Sequence, residues 1–169
     1  MHEEAIHFTK FVKTHFPHLF KNKKVLDVGS YGNNRFLFED CDYTGKDLPF
    51  QDETFDTIIS TECFEHDSEY AQSFQKIYSM LKSGGLFCFT CASIGRPEHG
   101  TRRTTPADSY GTMGMLTDMQ DYYKNLTIQD VNEVLSLNDS FIYWDSYYNA
   151  KTKDLYFYAI KKSNVELIL

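Results

Sequence analysis

Residues 49–66, PFQDETFDTIISTECFEH, together with LKSGGLF at 81–87, decide how this chain folds. Phe55–Thr61 is an apolar, β-branched run entered through an acidic turn, and such a run predicts a buried strand. Its exit is polar, with Glu62, Glu65 and His66 in quick succession. A helix is predicted over 68–82, because Tyr70, Phe74, Ile77, Tyr78 and Leu81 share one face and Gly84 offers a left-handed cap at its end. Leu86–Cys91 reads as a second apolar strand. Strand, helix and strand in this order connect right-handedly and leave the strands parallel. A nucleotide-binding α/β enzyme is built from such units.

Upstream, KVLDVG at 24–29 is a short apolar run closed by glycine, followed by the turn-rich SYGNN and the brief apolar patch RFLF. The order predicts strand, phosphate-style loop and short helix, and Asp42–Lys46 adds another short strand. Within residues 1–20, Ile6, Phe8, Phe11, Val12 and Phe16 near helical spacing predict an amphipathic helix that Pro17 ends. Downstream, residues 93–126 are too long for an ordinary connection. Thr127 and Asp130 have the spacing of a capping box and open a helix carrying Ile128, Val131, Val134 and Leu135. Phe141–Tyr148 and Leu155–Lys161, split by the polar NAKTKD, predict an antiparallel hairpin at the edge of an otherwise parallel sheet. The expected architecture is α/β, with a mostly parallel sheet of about six strands in one domain spanning 1–169.

Charge narrows the function classes. With 24 acidic against 17 basic residues the net charge is −7, which repels a phosphate backbone and argues against nucleic-acid binding through charge. Arg96, Arg102, Arg103 and Lys124 are the candidates for a local basic patch. No apolar run approaches the roughly 18 residues of a membrane span. The N-terminal MHEEAIHFTKF lacks the basic and apolar regions of a signal peptide, so a soluble, cytoplasmic protein is expected. Cys88 and Cys91 lie three apart in an apolar run, so on a strand they face opposite ways. With Cys41 and Cys63 they read as plain thiols rather than a metal or redox pair.

Taken together, VLDVGS at 25–30, YTGKD at 43–47, LPFQDETFDTIISTECFEH at 48–66 and LKSGGLFCFT at 81–90 resemble the class I S-adenosylmethionine-dependent methyltransferase family, within it the small-molecule branch. GRPEHGTRRTTPADSY at 95–110 and YYKNLT at 122–127 are similar to a bacterial and viral subgroup of that family. The resemblance implies a Rossmann-like sandwich and S-adenosylmethionine as cofactor. It implies that Asp27 meets the cofactor's amino end and that the backbone of Gly29, Ser30 and Tyr31 approaches its methionine and ribose. By the same resemblance, Asp47 accepts the ribose hydroxyls, Leu48 flanks adenine, and Thr61 with Glu62 lines the site at the carboxyl edge of the sheet.

Two departures from the family pattern are visible. Tyr31 and Asn33 stand where the family's loop carries its second and third glycines. YTGKD also runs directly into LPF, without the helix and strand that the family places between them, so that Asp47 serves two motif positions. The missing strand is the outer edge strand, strand 3, and the expected sheet order is 2-1-4-5-7-6 in the family's labels. One wall of the adenine pocket goes with it. The N-terminal helix or a partner chain is expected to cover the gap, and a homodimer stays open.

Methyl transfer from a sulfonium is an in-line displacement, so placing the acceptor and removing its proton supply most of the catalysis. His66 and His99 are the candidate catalytic bases. The resemblance implies a second use for this cluster. Some family members hold a divalent ion, magnesium or manganese, against adjacent substrate hydroxyls, and Glu62, Glu65, His66 and His99 match that ligand set. Alternatively, Glu65 and His66 only cap the helix that follows. Glu98, His99, Arg102, Arg103, Tyr110, Tyr122 and Tyr123 make 93–126 a candidate lid over a small-molecule acceptor. The expected activity is O-methylation of a small molecule such as a sugar. A catalytically inactive relative that binds a nucleotide-like ligand or a partner protein, and a nucleic-acid methyltransferase, are the alternatives.

Overall fold

The computed structural model describes residues 3–46, 50–109 and 121–163. Four helices are present among them: α1 (Glu3–His15), α2 (Tyr70–Met80), α3 (Ile128–Leu135) and α4 (Leu137–Ser140). The strands are β1 (Lys24–Val28), β2 (Asp42–Gly45), β3 (Phe55–Thr61), β4 (Leu81–Ala92), β5 (Phe141–Asn149) and β6 (Asp154–Lys161). They form one sheet in the order β2-β1-β3-β4-β6-β5. Strands β1 to β4 run parallel, and β6 is antiparallel to both of its neighbours. This is the order the sequence predicts for the family sheet without its outer strand, with the four-residue β2 as the edge.

The sheet separates two cores because side chains alternate along each strand. Ile58, Phe87, Phe89 and Cys91 point into the core shared with α2, α3 and α4, where Phe64 and Phe74 meet edge to face at 4.7 Å. Ile59, Leu86 and Cys88 point into the other, where Phe8 and Val12 of α1 pack and Phe8 stacks on Tyr156 at 5.0 Å. Fully buried rings such as Phe64 and Phe74 each contribute on the order of 2–3 kcal/mol of hydrophobic stabilisation. Cys88 and Cys91 therefore occupy opposite faces as free thiols. Helix α1 rests on the sheet face over β6, where Phe8 stacks on Tyr156 and Phe11 meets Tyr158 edge on. No helix among the described residues is long and apolar enough to cross a membrane.

One element boundary departs from expectation. Strand β4 starts at Leu81, immediately after α2, and Gly84 is not the helix cap. Leu81 is fully buried and pairs with Phe55, so sheet pairing and core burial outcompete another helical turn. The left-handed φ of Gly84, 72°, instead serves the bulge between the Phe55–Leu81 and Thr57–Leu86 pairs. The last carbonyls of α2 find another partner. The buried Lys161 ammonium donates to the carbonyls of Tyr78 and Leu81, at 2.7 Å each. The capping box of α3 forms as read, with Asp130 N donating to Thr127 Oγ1 and Thr127 N donating to Asp130 Oδ2.

Candidate functional site

The carboxyl ends of β1, β2, β3 and β4 lie side by side, where parallel α/β sheets bind ligands. At the end of β1, Gly29 has φ 76°, and an added Cβ would stand 2.4 Å from Cys63 Sγ. The chain leaving β1 is thus pressed against the chain leaving β3. Below this turn lies Asp27, fully buried. Its Oδ2 accepts from Tyr43 OH at 2.8 Å and from Asn34 Nδ2 at 2.9 Å, while Oδ1 has no hydrogen-bond donor. Burial raises the carboxyl to about 6, although the hydrogen bonds from Tyr43 and Asn34 and the nearby Ser30 hydroxyl pull it down. Ser30 is buried against Tyr43 OH at 3.0 Å, and Tyr31 is half exposed with a left-handed φ. Thr61, at the end of β3, accepts weakly from Asn34 Nδ2 at 3.4 Å. Asp47 and Leu48 lie outside the described residues.

The second cluster follows β3. Residues Phe64–His66 form a single tight turn that buries Glu65 and His66. Glu65 shows no exposed surface, and neither carboxylate oxygen has a hydrogen-bond partner. Burial drives its carboxyl well above the usual carboxylate range, and the charge of Glu62 adds to the effect; nearby backbone N–H groups of Glu65 and Ala92 offset a part. His66 Nδ1 is buried without a hydrogen-bond partner. Burial, reinforced by His99, lowers the His66 imidazolium to about 4, so the ring is neutral at physiological pH. His99 Nδ1 lies 3.2 Å from the Pro97 carbonyl, which can only accept, so that nitrogen carries a proton. Nε2 stands 4.0 Å from Glu65 Oε1. Ligand atoms of Glu65, His66 and His99 all fall within 4.8 Å of one another. Buried acceptors that face each other with no donor call for a proton or a cation between them.

Glu62, expected as a fourth member, is not among the groups that converge. Its backbone is left-handed, φ 53°, and its carboxylate accepts from Thr90 Oγ1 at 2.7 Å. Three of the four basic candidates are paired with local carboxylates. Arg96 pairs with the buried Asp154 at 3.1 Å, Arg103 with Glu98 at 2.7 Å, and Lys124 with Asp130 at 2.6 Å. The described part of 93–126 closes over the second cluster. Lys124 N donates to the Glu65 carbonyl, Tyr123 OH to the Pro97 carbonyl, and the Tyr123 ring meets both His66 and His99. Tyr110 lies outside the described residues. Asn34 and Tyr43 are site residues that sequence reasoning missed. Their only signal was that an acid in a buried strand must find donors somewhere.

A family model for the methyltransferase domain matches residues 22–89, which include β1, the Asp27–Gly29 turn, β3 and Glu65–His66. Over that stretch the chain is similar to the methyltransferase domain family. Solved structures share the fold at low identity. The YcgJ protein of Bacillus subtilis is 13% identical with a TM-score of 0.58, and the match covers 93% of this chain and 99% of that one. Phosphoethanolamine N-methyltransferase 2 of Haemonchus contortus, solved with S-adenosyl-L-methionine, is 12% identical with a TM-score of 0.57, covering 92% of this chain and 52% of that one. The [4+2]-cyclase SpnF is 15% identical with a TM-score of 0.55, over 93% of this chain and 81% of its own. Its presence shows that this fold also hosts other chemistry. No curated protein matches the chain in sequence.

Proposed function

We propose that this chain is an S-adenosylmethionine-dependent methyltransferase that binds its cofactor at the carboxyl ends of β1 and β2 and methylates an oxygen of a small hydroxylated molecule, such as a sugar, held under residues 93–126. The observation that carries the reading is the convergence of Glu65, His66 and His99 one turn beyond the Cys63 that touches Gly29, with both Glu65 carboxylate oxygens and His66 Nδ1 buried and unpartnered. The residues fit the cofactor. Asp27 Oδ1 is a buried acceptor suited to an ammonium, and Gly29 presents backbone where a side chain would not fit. Asp47 and Leu48 are assigned to ribose and adenine, Ser30, Tyr31, Thr61 and Glu62 to the walls. Bound there, S-adenosylmethionine supplies an electrophilic methyl group on a sulfonium. His99 takes the acceptor's hydroxyl proton on Nε2, and the neutral His66 with Tyr123 fixes the place of that ring. Calorimetric titration of the whole chain is expected to show saturable binding of S-adenosylmethionine and S-adenosylhomocysteine well below millimolar. Absence of heat at millimolar ligand sinks the enzyme reading and favours the non-catalytic alternative.

The same cluster supports a second reading, in which a divalent cation sits among Glu65, His66 and His99. A carboxylate and two imidazoles suit manganese better than magnesium, and either ion would orient and acidify an acceptor hydroxyl. Manganese is expected to raise the melting temperature of the wild type in proportion to the logarithm of its concentration, and to leave His66→Ala and His99→Ala unmoved. Equal responses in all three proteins end the cation reading and leave His99 as a metal-free base. The nucleic-acid alternative loses ground, because Arg96, Arg103 and Lys124 are each neutralised by a local carboxylate. Cytoplasmic residence as one domain over 1–169 completes the proposal, in keeping with four free thiols.

A further inference from the structure

The Asp27 carboxylate is unusual in being asymmetrically engaged. Two donors from different parts of the chain converge on one oxygen. Tyr43 reaches it from β2 and Asn34 from the turn after β1, at 2.8 and 2.9 Å. Tyr43 gives its proton to Asp27, so its own oxygen accepts from Ser30 Oγ at 3.0 Å. The Tyr43 ring is itself fixed by a stack on Phe38, 5.3 Å between centroids and 9° from parallel. Asn34 is almost fully buried and also leans on Thr61 of β3. Strands β1, β2 and β3 are therefore tied together at the candidate cofactor site through one carboxylate oxygen. The other, Oδ1, is buried with no donor.

A buried carboxylate is stable in its charged form only when hydrogen bonds replace lost water. Two neutral donors on Oδ2 supply part of that, and they prevent the group from rotating to exchange its oxygens. Full satisfaction then waits for a cation at Oδ1. The titratable side chains that face Asp27 are Tyr43 from β2 and Cys88 from β4, and burial pushes both upward, so neither competes as an anion at neutral pH. We propose that Asn34 and Tyr43 are positioning residues that hold Asp27 with Oδ2 engaged and Oδ1 aimed to accept the ammonium of the cofactor's amino-acid end. The inference rests on the cofactor assignment above.

The test compares S-adenosylhomocysteine, which carries that ammonium, with 5′-methylthioadenosine, which keeps the nucleoside and lacks the amino acid. Titrations use the full chain, wild type, Tyr43→Phe and Asn34→Leu. Tyr43→Phe retains the ring that stacks on Phe38, so it removes the donor and little else. Each substitution is expected to weaken S-adenosylhomocysteine by about tenfold or more, the scale of a hydrogen bond to a charged group, while 5′-methylthioadenosine changes by less than about twofold. In Tyr43→Phe the pH below which S-adenosylhomocysteine binding fades is expected to move up. A parallel loss of both ligands, or an unchanged preference, overturns the positioning role. If the wild type binds neither ligand, the cofactor assignment itself fails, which is a different result from failure of the variants.

Discussion

Gly29→Ala is expected to lower the melting temperature by roughly 5–15 °C and to abolish S-adenosylmethionine binding. Two costs add at this position. A left-handed φ of 76° costs a residue with a Cβ about 1–2 kcal/mol. The new methyl would also stand 2.4 Å from Cys63 Sγ and 3.2 Å from Cys63 Cβ, so the β1 and β3 exits must part, at a cost of about 1–3 kcal/mol. At this chain length each kcal/mol corresponds to about 2–4 °C. Gly84→Ala is the internal control. Its φ is 72° but nothing lies within 4 Å of an added Cβ, so only the backbone cost applies and cofactor binding is untouched. Differential scanning calorimetry with a parallel ligand titration reads both. Equal effects from the two substitutions would remove the close approach of the two exits from the account of the site.

The second large effect has the opposite sign for stability. Glu65→Gln is expected to melt higher than the wild type by roughly 2–10 °C at pH 8 in the absence of divalent ions, and to lose any response to manganese. Glu65 is buried with both oxygens unpartnered, and its folded carboxyl lies well above its ordinary value of 4.5. A carboxyl raised in the folded state favours folding while protonated in both states. That contribution is complete below the ordinary value and is lost as pH rises through the folded one. Wild-type stability should therefore fall as pH rises from about 4.5. Asp27, raised from 3.8 to about 6, gives a slope of the same sign in both proteins, so the reading is the difference between them. Melting curves from pH 4 to 9 that run parallel for the two proteins would show that Glu65 is compensated and has no need of a cation.

Much of the sheet was legible because its strands are written locally. The β-branched run Phe55–Thr61 and the apolar KVLDV each state a strand within a few residues, and their order fixes the topology. The end of α2 was not legible, because Leu81 is drawn into the sheet by pairing with Phe55, and Lys161, 80 residues from Leu81 in sequence, reaches back to cap the last carbonyls. The site shows the same division. Gly29 and Asp27 announce themselves as a turn glycine and an acid inside an apolar run. Asn34 and Tyr43 look like a turn residue and a strand aromatic, and only the parallel pairing of β1 with β2 brings Tyr43 onto Asp27. Glu62, Glu65 and His66 read as one cluster by spacing. The left-handed turn at Glu62 sends its carboxylate to Thr90 instead, and the rings that meet His66 come from His99 and Tyr123, far along the chain.

The hairpin of β5 and β6 contributes no residue to either cluster, yet it decides what can be transplanted. The stretch that matches the family model, 22–89, stops inside β4. From Leu86 to Ala92 the outer edge of that strand is paired to β6, which is buried along its whole length and supplies Phe157 to one core and Tyr156 to the other. A fragment cut to the matched stretch would expose a hydrogen-bonding edge lined with phenylalanines and leave the end of α2 uncapped. The portion that names the family and the portion that can stand alone in water are different lengths of the same chain. A graft, a minimal domain or a split-protein fusion built from it has to carry everything through Lys161.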